Sequence, residues 1–97
     1  MTRDEALARL RQHEGELKRL GIESLFIFGS TARGEATETS DIDLFFDHPI
    51  GSLGLYELID LKAAASRILD GRADIMSRRS IHPRLRASIE AAVVRVF

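Results

Sequence analysis

The sequence predicts an α/β (α+β) fold: a small mixed β-sheet packed with helices. Three observations predict it. Short apolar runs at Leu25–Phe28, Ile42–Phe46 and Ala73–Ser77 have the length and composition of strands. Amphipathic stretches with leucines at helical spacing lie before, between and after them. Gly29-Ser30, Asp70-Gly71 and His82-Pro83 fall where such elements must begin or end.

Thr2-Arg3-Asp4-Glu5 is a capping box, with threonine at the N-cap and glutamate three residues on. Leu7, Leu10, Leu17 and Leu20 continue one helix from it, interrupted at His13 and Glu14, and Gly21 stops it. Gly15 weakens its middle by about 1 kcal/mol against alanine. His13 is expected to flank the buried stripe rather than act as a ligand.

Ser24–Phe28 is the first strand, and its lack of alternation marks a strand covered on both faces. Gly29 follows directly, where a missing side chain admits unusual backbone angles and lets a ligand approach the main chain. Ser30 is expected to cap a helix from Thr31, whose free N–H groups could hold phosphate. An ordinary strand-to-helix turn would look the same, so this turn alone decides nothing. It is not a P-loop: no G-x(4)-G-K-[ST] occurs, and no lysine lies between Lys18 and Lys62.

Ser40–Asp47 is the second strand. Side chains alternate along it, so Asp41 and Asp43 share one face while Ile42 and Leu44 share the other. Like charges at that spacing repel and raise a carboxyl pKa, and a divalent cation would offset the repulsion. Mg²⁺ takes oxygen ligands and keeps several waters, so two or three carboxylates suit it. A merely solvated strand face is the plain alternative, but the run continues as Leu44-Phe45-Phe46, which belongs inside a sheet. Asp47-His48-Pro49 ends the strand and is not expected to bind metal.

Ser52 is expected to cap a second long helix, with Leu55, Leu58, Ile59, Ala65, Ile68 and Leu69 as its apolar stripe and Asp70-Gly71 as its end. Tyr56, the only tyrosine, is expected to pack. Ala73–Ser77 is a third strand on which Asp74 and Met76 share a face. Ile81-His82-Pro83 opens a last helix that buries Leu85, Ile89, Ala92 and Val93, and Val93–Phe97 has the composition of a short final strand.

With 97 residues, one domain spanning 1–97 is expected, burying roughly two-thirds of its unfolded surface. The absence of cysteine excludes a disulfide framework and thiolate zinc, and suits a cytoplasmic location. No apolar run approaches the ~18 residues of a membrane span, and the N-terminus lacks a signal-peptide apolar region. The net charge of −1 hides an asymmetry. Residues 22–47 carry six acidic side chains and one basic, whereas residues 72–97 carry six arginines against Asp74 and Glu90. Those arginines are either solvated or a basic face for an acidic partner or phosphates.

The pattern formed by Gly29, Ser30, Ala32, Arg33, Gly34, Ser40, Asp41, Ile42 and Asp43, with a later Ala73-Asp74-Ile75, resembles the minimal nucleotidyltransferases of the DNA polymerase beta-like superfamily. The resemblance covers essentially the whole chain and implies the polymerase beta-like fold. It implies that Asp41, Asp43 and Asp74 are catalytic and hold two Mg²⁺ ions, with Mn²⁺ as the alternative. Asp74 would help activate the attacking hydroxyl. Gly29, Ser30, Ser40 and Arg33 would bind the triphosphate, although a surface salt bridge suits Arg33 equally. The resemblance further implies a role as antitoxin to a small helical HEPN-domain toxin, transferring AMP from ATP to a toxin tyrosine. Masking without chemistry and transfer to a small-molecule hydroxyl are the alternatives. No direct nucleic-acid or membrane binding is expected.

Overall fold

A computed structural model describes all 97 residues. The elements in chain order are α1 (Arg3–Gln12), α2 (Glu14–Arg19), β1 (Ser24–Phe28), α3 (Gly29–Ala32), β2 (Ile42–Asp47), α4 (Leu55–Ile68), β3 (Ala73–Ser77), α5 (Arg86–Ala91) and β4 (Val93–Arg95). Two 3₁₀ turns, Arg78–Ser80 and Pro83–Leu85, link β3 to α5.

The four strands form one mixed sheet in the order β3-β2-β1-β4. β1 is antiparallel to both β2 and β4, and β2 is parallel to β3. A parallel pair requires a crossover, and α4 supplies it. Leu25, Ile27, Ile42, Leu44, Phe46 and Ile75 face the helices and join Leu10, Leu17, Leu61 and Ala65 in one core. Each of these leucine, isoleucine and phenylalanine side chains contributes about 1.5–3 kcal/mol on burial.

The alternate residues form the second face. There Phe26 stacks on Phe45 at 4.8 Å between centroids, and Phe28 tilts against Phe45 at 5.7 Å. Arg78 lies over Phe45 and Phe26 at 4.8 and 5.2 Å, and its guanidinium donates to both oxygens of Asp47 at 2.6 and 3.0 Å. That bonding holds the Asp47 carboxyl below the ordinary aspartate range. The contribution is present above the unfolded pKa and is lost as acid carries the pH through the folded one. Because the pair is largely solvated, Arg78→Ala is expected to cost only about 1 kcal/mol, a few degrees of melting temperature in a thermal melt.

Several boundaries depart from the sequence reading. The first helix is two helices broken at His13, and Gly15 lies inside the second. The His13 ring bonds the Arg9 carbonyl at 2.8 Å, and its backbone N–H bonds Leu10 in a tightened turn. Ser52 does not cap α4: its hydroxyl donates to the Pro49 carbonyl, and Gly54 is the N-cap. The buried stripe of α4 is Leu61, Ala64, Ala65 and Ile68, whereas Leu55 and Ile59 are exposed. Tyr56 does not pack; it is 80% exposed. The last helix buries none of its residues fully, and Val93 is exposed on β4.

Candidate active site

β1 ends at Phe28, and the chain turns at once into α3. Gly29 makes that turn at φ +72, a left-handed conformation that side chains rarely adopt. A Cβ at Gly29 would stand 2.6 Å from Oδ2 of Asp43. The glycine therefore lets the Asp43 carboxylate lie against the main chain at the start of α3. Ser30 is not the cap expected of it. The single-turn helix begins at Gly29 with Phe28 at its N-cap, and no side chain caps its first N–H groups.

Register brings the carboxylates together. Phe28 is opposite Asp43 on β1–β2, and Asp43 is opposite Asp74 on β2–β3. Adjacent strands lie about 4.8 Å apart, so Asp43 and Asp74 are immediate neighbours on one face. Asp41 lies just ahead of β2 rather than within it, and is exposed. The Asp43 carboxyl is pushed above the ordinary aspartate range, first by burial and then by the charges of Asp74 and Asp41. Three acids thus share one electrostatic neighbourhood at the end of β1, although no three of them already stand at metal-ligating separation. Hard carboxylate oxygens with mutual repulsion fit a divalent cation in chemistry and charge.

The other predicted residues are placed less centrally. Arg33 follows α3 and bonds Glu35 at 3.0 Å, the salt-bridge alternative. Ser40 closes a turn with Thr37, accepting from its N–H at 3.0 Å. The sequence reading missed Thr31. Its side chain is 1% exposed, and its hydroxyl has no hydrogen-bond partner. A buried unpaired hydroxyl costs about 1–3 kcal/mol, so Thr31→Val is expected to raise the melting temperature by a few degrees. A lowered midpoint in a thermal melt would show that the hydroxyl is bonded.

Residues 10–96 match the family model of the nucleotidyltransferase domain. The chain belongs to the nucleotidyltransferase family. This nucleotidyltransferase is 33% identical over 98 residues to the protein adenylyltransferase MntA of Thermococcus cleftensis, covering 99% of this chain and 97% of that one. It is 41% identical over 87 residues to a candidate protein adenylyltransferase of Methanocaldococcus jannaschii, with 88% of each chain covered. A solved structure of a candidate minimal nucleotidyltransferase superposes with a TM-score of 0.78 at 35% identity, covering 97% of this chain and 95% of that one. The fold is also that of an MNT antitoxin in complex with the tri-AMPylated HEPN toxin of Shewanella oneidensis. There the TM-score is 0.56 at 18% identity, over 90% of this chain and 71% of that one. The small mixed sheet with packed helices is the minimal nucleotidyltransferase fold. No helix is long and apolar enough to cross a membrane.

Proposed function

We propose that this nucleotidyltransferase is a metal-dependent protein adenylyltransferase. It moves AMP from ATP to a tyrosine hydroxyl of a HEPN-domain toxin and so neutralises it. The observation that carries the reading is the juxtaposition of Asp43, Asp74 and the bare backbone of Gly29 at the end of β1. Asp41, Asp43 and Asp74 would hold Mg²⁺ or Mn²⁺, closing around it by side-chain rotation. The ions would neutralise the triphosphate and stabilise charge on the attacking and leaving oxygens.

The chain's own residues have separate tasks. Gly29 and Ser30 would present N–H groups to the triphosphate, and Asp43, lying against them, would hold the cation that sets where it sits. Asp74, on the outer strand, orients the incoming hydroxyl and takes its proton. The hydroxyl oxygen bonds to the α phosphorus, the bond to the bridging oxygen breaks, and pyrophosphate leaves. Positioning and charge neutralisation carry most of the rate.

An open shelf suits a protein acceptor. None of the four concavities of the molecule is lined by Asp41, Asp43 or Asp74, so a small acceptor would find no enclosing pocket in this chain. The relatives named as protein adenylyltransferases point the same way. The test incubates the protein with labelled ATP, Mg²⁺ and its cognate HEPN-domain protein, beside Asp41→Asn and Asp43→Asn. Label on the partner that vanishes in both variants is expected. Neutralisation of the toxin that persists equally in both variants would establish masking instead.

A further inference from the structure

We propose that the free edge of β3 is the docking site for the acceptor, which adds an extended segment to the sheet beside Asp74. This rests on the protein-acceptor reading above and says where on the surface that acceptor binds.

β3 is an outer strand with β2 on one side only. The Ile42 N–H donates to the Arg72 carbonyl at 2.6 Å. In a parallel ladder the polar groups of alternate residues point to opposite sides, so Asp74 and Met76 turn theirs to β2. The N–H and C=O of Ala73 and Ile75 then face outward, and neither residue bonds elsewhere in the backbone. An unpaired strand edge is a template for another chain.

The groove beside that edge is shaped to receive side chains. It has a volume of about 310 Å³ and lies between β3 and the start of α4, with Leu53, Leu55, Leu58, Ile75 and Met76 in its walls. The first turns of α4 carry apolar side chains that this chain leaves in water: Leu55 is 70% exposed and Ile59 53%. The groove opens on the helix side of the sheet, where Ile75 points, whereas Asp74, one residue before it, projects from the other face. A segment paired along the edge would therefore seat alternate side chains in the groove and turn the others to the Asp74 face. A segment paired along the edge would carry its hydroxyl past the Asp74 carboxylate. The opposite edge, β4, is only three residues long and carries no carboxylate.

The test uses the full chain and its cognate HEPN-domain protein. Ser77 lies at φ −72, which proline adopts without strain, and its N–H is on the outward side of β3. Ser77→Pro therefore removes an edge donor and leaves the ladder to β2 intact. Leu55→Glu charges the groove at an exposed position. Both variants are expected to weaken the complex by about tenfold or more in titration calorimetry. Their affinity for ATP with Mg²⁺ should stay within about twofold of wild type.

Partner affinity unchanged in both variants overturns the docking site and leaves the transferase reading intact. A wild-type complex that binds with the predicted variant losses, but passes no label, sinks the transferase reading and keeps the docking site. If the wild type forms no complex, both fail. If sedimentation shows a wild-type dimer that either variant splits, the edge belongs to a second copy of this chain, and the proposal is overturned.

Discussion

Asp43→Asn is expected to abolish nucleotidyl transfer while making the protein more stable at neutral pH. Burial and the neighbouring charges of Asp74 and Asp41 raise the folded-state pKa of Asp43. A carboxyl raised in this way favours folding while protonated, below its unfolded pKa. That advantage is lost as the pH rises through the folded value, so at neutral pH the ionised group opposes folding. Asparagine keeps the shape and removes the charge. The melting temperature of the variant should exceed that of wild type at pH 7, and the difference should shrink towards acid. Adding Mg²⁺ with a non-hydrolysable ATP analogue should reverse the order, because only wild type retains the charge that the ion needs. Transfer should fall by about a thousandfold or more, as expected for losing a group that organises transition-state charge. A variant less stable than wild type at pH 7 would show that Asp43 is held by favourable partners instead.

Gly29→Ala is expected to damage both stability and chemistry. The left-handed backbone at φ +72 costs a residue with a side chain about 1–3 kcal/mol. The added Cβ would also stand 2.6 Å from the Asp43 carboxylate and push it aside. Displacing a reacting group by about an ångström costs about a hundredfold in rate. Gly34→Ala separates the two effects. Gly34 has a similar φ of +75, but nothing lies within 4 Å of a Cβ there. It should lose comparable stability in a thermal melt and keep most of the transfer activity. Equal activity losses in the two variants would mean that backbone strain alone, and not contact with Asp43, makes Gly29 necessary.

Part of the candidate site was legible in the sequence because it follows short-range rules. A glycine directly after an apolar run and two acids two residues apart needed only local pattern to be singled out. Asp74, by contrast, came from the family resemblance and reaches Asp43 through the β2–β3 register, and Asp41 lies ahead of β2 rather than on it. The small mixed sheet also followed, but which strands pair, and that β2 and β3 run parallel, did not. What escaped depended on packing. The break at His13 comes from a ring that bonds its own helix, which spacing does not reveal. The apolar stripe of α4 was assigned one phase along its whole length, yet its first turns leave Leu55, Tyr56 and Ile59 in water. Ser30 and Ser52 have cap chemistry, but the chain places both outside N-cap positions. The exposure of Thr31 is likewise set by the elements around α3, and no local pattern announces a buried hydroxyl there.

The central claim is that Asp41, Asp43 and Asp74 direct attack at the α phosphorus of a nucleoside triphosphate. A single-turnover reaction with the cognate HEPN-domain protein, run in parallel with α-labelled and γ-labelled ATP, tests it most directly. The account predicts that α label becomes fixed to the partner while γ label leaves as pyrophosphate, and that Asp74→Asn suppresses both. Label fixed from the γ position, or α transfer undiminished in Asp74→Asn, would contradict it.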